Sequence, residues 1–184
     1  MKNKAHDVAK YVFSKDEPLL LDANVWLYLF PAPSDKNTAP GAGYSAALKQ
    51  MLAAGAHLAL DAMVISEYLN RYCRIEFLAL HKTKYGNDFK RFRKSPDFAS
   101  VGPNASFFAK EILKLCSRYD HPFAKTDIAQ VLIDFESGAL DLNDGLLIES
   151  CRLNGWKFVT HDGDCTSGGI AVLTTNAKLI AACP

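Results

Sequence analysis

Hydrophobic positions along the chain come in two rhythms. Short continuous apolar runs of strand length occur at Pro18–Leu21, His57–Leu60 and Trp156–Thr160, with a last one at Ile170–Leu173. Runs of that length without alternation are the mark of strands buried on both faces. Between them the spacing is helical. A short helix is predicted over Asn24–Phe30, stopped by Pro31 and Pro33, with a loop over Ala32–Gly43. Further helices are predicted over Tyr44–Ala54 with Gly55 as its stop, Met63–Leu80, Ala105–Tyr119, Asp127–Phe135, and Asp141–Leu153 closed by Asn154-Gly155. Strands alternating with helices predict an α/β fold, a mostly parallel sheet covered on both faces. No repeat or linker divides the 184 residues, so a single domain over 1–184 is expected.

Three of the apolar runs lead into acids: Asp22 after the first, Asp61 at the second, and Asp162 just beyond the third. A parallel sheet binds ligands at the carboxyl ends of its strands, so these positions are candidates for chemistry. Glu67, early in its helix, and Asp144, in the first turn of another, are placed to face the same rim. Carboxylates gathered there repel one another unless a cation sits among them. An oxygen-only set selects a hard divalent ion, Mg²⁺ or Mn²⁺. Each acid also has a plainer role available. Glu67 can pair with Arg71 at i+4, Asp144 can be the N3 acid of a capping box whose cap is Asp141, and Asp162-Gly163-Asp164 can simply shape a turn. His161 reads as a surface histidine.

The ordered set Leu20-Leu21-Asp22-Ala23-Asn24-Val25-Trp26, Ser66-Glu67-Tyr68-Leu69-Asn70-Arg71, Asn143-Asp144-Gly145-Leu146-Leu147-Ile148 and Phe158-Val159-Thr160-His161-Asp162-Gly163-Asp164 resembles the PIN-domain family, over about Pro18–Leu173. The resemblance implies a three-layer α/β/α fold and an acidic tetrad of Asp22, Glu67, Asp144 and Asp162. It also implies Asp164 as a further acid of the metal site and Asn24 and Thr160 as the polar residues that hold the first and last acids in place; Asn70, one turn beyond Glu67 on the same helix face, is either a support for Glu67 or simply exposed. The same resemblance implies a divalent-metal-dependent endoribonuclease using Mg²⁺ or Mn²⁺, of the kind found as the toxin of a toxin–antitoxin pair. RNA would be the substrate, an antitoxin protein a partner, and a homodimer is permitted by the apolar content of Tyr44–Leu52. The alternatives are a catalytically idle PIN-like module that binds protein or RNA, and a phosphotransfer domain with Asp22 as nucleophile. The last wants a second acid where this chain has Asn24.

Composition refines this picture in two places. The formal net charge is only +1, so nucleic-acid binding needs a local basic face. The segment about 81–104, which the compact toxins of the family lack, supplies one: Lys82, Lys84, Lys90, Arg91, Arg93 and Lys94 alternate with Tyr85, Phe89, Phe92 and Phe98. The rings could stack on unpaired bases or could belong to the core of a solvated helical hairpin. Five dispersed cysteines without a CxxC pair read as reduced thiols, and neither a signal peptide nor a membrane span is evident, so a cytoplasmic protein is expected.

Overall fold

A computed structural model describes residues 1–183. Six parallel strands form one sheet: β1 (Lys4–Asp7), β2 (Pro18–Leu21), β3 (His57–Asp61), β4 (Ser117–Tyr119), β5 (Lys157–Val159) and β6 (Ala171–Thr174). Their spatial order is β1-β6-β5-β2-β3-β4. Leu19, Leu20 and Leu21 are all buried, as are Leu58, Ala59 and Leu60. Successive strand residues point to opposite faces, so both faces of the sheet are covered, as an all-parallel sheet requires.

The chain runs from β2 outward to β3 and β4, then returns past its starting point to β5 and β6. β2 and β5 are therefore neighbours on either side of a topological switch, with Leu21 in register with Val159. In open α/β sheets a ligand crevice forms at such a switch point, at the carboxyl ends of the strands. β1 and β4 lie at the two sheet edges. Their sequences, Lys4-Ala5-His6-Asp7 and Ser117-Arg118-Tyr119, lack an apolar run, and the second was read as the end of the helix from Ala105.

The connecting helices are α1 (Ala23–Leu29), α2 (Gly41–Ala54), α3 (Ala62–Glu76), α4 (Lys82–Tyr85), α5 (Phe89–Arg93), α6 (Gly102–Leu115), α7 (Ile128–Glu136), α8 (Leu142–Asn154) and α9 (Ala177–Ala182). Acids end the strands and begin the helices: Asp22 caps α1 and Asp61 caps α3, each accepting a bond from a first-turn N–H. Gly55 and Gly155 close α2 and α8 in the left-handed conformation, φ 73° and 68°, where a side chain would be strained.

Two expectations change. The long helix expected to reach Leu80 is α-helical only to Glu76, after which Phe77–His81 widens into a π turn. The large apolar side chains Tyr44 and Met51 of α2, with Ala47, are buried in the chain's own core, so the apolar content of Tyr44–Leu52 lies mostly inside the molecule, with Leu52 45% exposed.

Around Phe77–Ser100 the aromatic residues make a core of their own. Phe92 is fully buried, with Phe77, Phe89, Phe98, Tyr85 and His81 ringed about it at centroid distances of 4.5–6.0 Å. Tyr85 and Phe92 are thus packing residues rather than exposed stacking surfaces. Phe92→Ala should lower unfolding free energy by about 3–5 kcal/mol, the cost of truncating a buried ring. Urea denaturation measures it, and a cost below about 1 kcal/mol would contradict this packing role.

Candidate metal centre

Asp22 leaves the end of β2 with its carboxylate 4% exposed at residue level. Its Oδ1 accepts from the Ala23 N–H at 2.6 Å. Its Oδ2 accepts from the Thr160 hydroxyl at 2.7 Å and from the Asn24 carboxamide. Asn24 then reaches across to β5's extension, its Oδ1 accepting from the His161 N–H at 3.1 Å. Thr160 Oγ1 accepts from the Asp162 N–H at 3.1 Å. One hydroxyl and one carboxamide thus lock the end of β2 to the segment that carries Asp162.

The next two acids come from helices. Glu67 lies one to two turns into α3 and is tied to Arg71 at 3.2 Å. Asn70 does not bond to it, but Asn70, Glu67, Ser66, Met63, Arg74 and Asn143 line one open cleft of about 430 Å³. Asn143 precedes Asp144, so the start of α8 borders the same cleft as α3. Asp141 caps α8, accepting from the Asp144 N–H at 2.9 Å, which leaves the Asp144 carboxylate free of the capping role.

The electrostatics link these four acids. Burial, countered by the Thr160 bond, and then the negative charges of Glu67 and Asp162 push the Asp22 carboxyl up to about 6. Burial first, then Asp141, Asp22, Asp162 and Glu67, push Asp144 up to about 7. Acids from four separate places in the chain therefore feel one another's charge. Asp164 stands apart: its side chain is exposed and its N–H closes a turn onto Asp162 Oδ1 at 2.8 Å.

Two other residues shape this rim. His161 is not a free surface histidine. Its ring sits edge-on to both Tyr28 and Tyr44, its Nδ1 lies 3.0 Å from the Tyr44 hydroxyl and 3.2 Å from Thr175 Oγ1, and burial lowers its pKa. Tyr44 also donates to the Thr160 carbonyl at 3.1 Å. Nothing in the local sequence marks Tyr44, which reaches this rim from α2 only through the fold.

The donor chemistry fits a hard divalent cation. The converging groups are carboxylate oxygens, held by neighbours and destabilised as anions by burial and by one another. Cys151 and Cys165 feel the same acids, but burial drives both thiols up, so neither offers a thiolate. Among the described residues no three His, Cys, Asp or Glu side chains form a ready-made ligand cluster, and the four acids are neighbours in charge rather than in contact. The cysteines are all free, and no helix is long and apolar enough to cross a membrane among the described residues.

An acid-rimmed crevice at the switch point of a parallel sheet defines a class of α/β domain suited to a divalent cation. The family profile of the PIN domain matches residues 19–167, and the chain belongs to that family, typically one of metal-dependent nucleases. No curated protein matches the sequence. Among solved structures, VapBC2 from Rickettsia felis, bound to a DNA fragment from its promoter, is similar in fold at 15% identity. Its TM-score is 0.52, covering 85% of this chain and 97% of that one. PAE2754 from Pyrobaculum aerophilum is also 15% identical, with a TM-score of 0.49, covering 92% and 98%.

The raised carboxyls fix a sign for stability. The folded metal-free chain holds protons at Asp22 and Asp144 up to about 6 and 7, whereas the unfolded chain releases them near 3.8. Between these limits the folded state binds more protons, so their contribution falls as pH rises from about 4 to 7. In EDTA the melting temperature should drop across that window in wild type and drop less in Asp144→Asn. Equal slopes would contradict the assignment. Thr160→Val should weaken stabilisation by Mn²⁺ roughly 10–100-fold in apparent affinity, the usual cost of losing a partner that orients a ligand. Melting at graded Mn²⁺ reads this, and an unchanged midpoint would count against it.

Proposed function

We propose that the chain is a divalent-metal-dependent endoribonuclease that hydrolyses RNA phosphodiester bonds. The observation that supports the reading is that Asp22 and Asp144, from separate stretches of chain, both have carboxyls pushed up by burial and by the charges of Glu67 and Asp162, with Asp22 at the β2–β5 switch point. These four would hold the ion. When bound, Mg²⁺ or Mn²⁺ polarises the scissile phosphate and lowers the pKa of water so that hydroxide is available near neutral pH.

The protein's own part is positioning and proton handling. Thr160 and Asn24 hold Asp22 Oδ2 in one orientation. The Thr160–Asp162 link sets Asp162 beside it. Asp144, its carboxyl pushed up to about 7 by burial and neighbouring acids, would have to release its proton to hold a cation, so binding there would depend on pH around neutrality. Arg71 restrains Glu67 without closing the cleft.

We further assign the chain as the toxin half of a toxin–antitoxin pair, silenced by a small protein that lays a segment across the acidic cleft. The fold likeness to VapBC2 supports this finer assignment. The segment about 81–104 serves in this reading as an added RNA-gripping element, with Lys82, Lys84, Lys90, Arg91, Arg93 and Lys94 as its cations.

Single-stranded RNA incubated with Mg²⁺ or Mn²⁺ should be cut, and EDTA should stop the reaction. Asp22→Asn and Asp144→Asn should each slow cleavage by more than about 100-fold, beyond what loss of an outer-shell partner costs, with melting curves that still show one cooperative transition. Cleavage at wild-type rates in both variants would overturn the reading. So would cleavage unaffected by EDTA.

A further inference from the structure

The acidic cleft does not end at Glu67. Asn70, one turn further along α3, lines that cleft and also a second, more apolar pocket of about 370 Å³. The second pocket is walled by Leu69 and Cys73 of α3, Phe89 and Arg93 of α5, Phe98, and Gly102 at the start of α6. Arg74 makes another link between the two. It lines the acidic cleft, and its guanidinium lies 4.9 Å from the centroid of the Phe89 ring.

The rings in this pocket differ from the others of the aromatic cluster. Phe92 is fully buried, but Phe89 and Phe98, which lean on it at 6.0 and 5.6 Å, are only partly covered. Phe92 thus backs two rings whose other sides border the pocket. Gly102 makes the Phe98 placement possible, since a Cβ there would come within 2.5 Å of Phe98 Cε1. Around these rings stand a carboxamide at Asn70 and a guanidinium at Arg93, which offer hydrogen bonds to the edge of a heteroaromatic ring. Arg74 and Arg93 also bring positive charge beside Glu67, the acid that lines the cleft. By contrast, the hollow formed by Lys84, Lys90, Arg91 and Lys94 shares no lining residue with either site.

We propose that this pocket is a nucleobase subsite, taking an unpaired base of the RNA strand whose backbone crosses the acidic cleft and so selecting the nucleotide next to the cut. The proposal rests on the ribonuclease reading. The base stacks on Phe98, Arg93 and Asn70 meet its polar edge, and Arg74 neutralises the adjoining phosphate.

The test uses the full chain, Ca²⁺ in place of Mg²⁺, and short RNA strands carrying 2-aminopurine at successive positions, whose fluorescence is quenched by stacking. One position should be quenched more than its neighbours. That selective quenching should be lost in Phe98→Leu, which keeps bulk but removes the ring, and in Gly102→Ala, which displaces the ring while favouring the helix. Both variants should bind the preferred strand roughly 10-fold more weakly, in the range of a lost base–aromatic stack. Melting curves confirm that each variant is folded. Quenching that is absent, is equal at all positions, or persists in both folded variants would overturn the subsite. If RNA is cut in Mn²⁺ without selective quenching, the subsite fails and the nuclease reading stands. Selective quenching in a chain that cuts no RNA leaves a base-binding pocket and removes the nuclease.

Discussion

Like charges brought together at one end of a parallel sheet are the constraint on which the rest of this molecule turns. Asp22 is almost wholly removed from water, and its carboxyl faces the fields of Glu67 and Asp162, both of which disfavour its charge. Such a placement is unfavourable by itself and persists only because other interactions dictate it. The dictating interactions are visible. The β2–β5 ladder sets the two strand ends side by side, and Thr160, Asn24 and the Ala23 N–H hold the Asp22 carboxylate in one orientation. Tyr44 and His161 then brace the segment after β5 from the opposite side.

The other end of the same strands treats acid differently. Glu17, just before β2, is buried nearly as deeply as Asp22, but it accepts from Tyr11 at 2.6 Å and from the Ser14 N–H at 3.0 Å, and is paired with Lys157 at the start of β5. Burial opposes its charge, yet these partners hold its carboxyl below the ordinary value. Both ends therefore bury carboxylates across the same pair of strands. One end supplies cationic and hydrogen-bonding compensation from within the chain; the other places acid against acid. That asymmetry separates a compensated structural ion pair from a group of mutually repelling acids, the pattern common at functional sites.

The central strands and the acids at their ends were legible because burial on both faces writes itself as an unbroken apolar run, and because strand-ending acids double as helix caps. The edge strands were not. Lys4–Asp7 and Ser117–Tyr119 have one neighbour each, so nothing obliges them to be apolar. Tyr44 was hidden for another reason: helical periodicity tells that it is apolar, not that its hydroxyl meets Thr160 and His161 more than a hundred residues away. His161 reads as a surface residue in the sequence because no local signal shows that its ring packs against Tyr28 and Tyr44, which reach it only through the fold. The alternation of basic and aromatic residues after His81 gave two readings at once, and the fold divides them by position. Tyr85 and Phe92 are core, whereas Phe89 and Phe98 border a pocket.

That division bears on how a chain of net charge +1 could hold a polyanion beside four acids. Cations far from the crevice attract nucleic acid generally, but at physiological ionic strength their fields decay within about 8 Å. Only groups next to the acids can offset the local repulsion a phosphate meets there. Arg74 lines the acidic cleft directly, and Arg93 lines the pocket that Asn70 joins to it. Lys84 is engaged by Asp97 at 2.6 Å, and Arg91 lies 5.6 Å from the Tyr85 ring centroid. On this geometry the six cations of the segment do not act as one patch. Arg93, together with the Arg74 that precedes the segment, stands beside the crevice, while Lys84, Lys90, Arg91 and Lys94 line a separate basic hollow, from which any pull on a polyanion would be long-range and salt-sensitive.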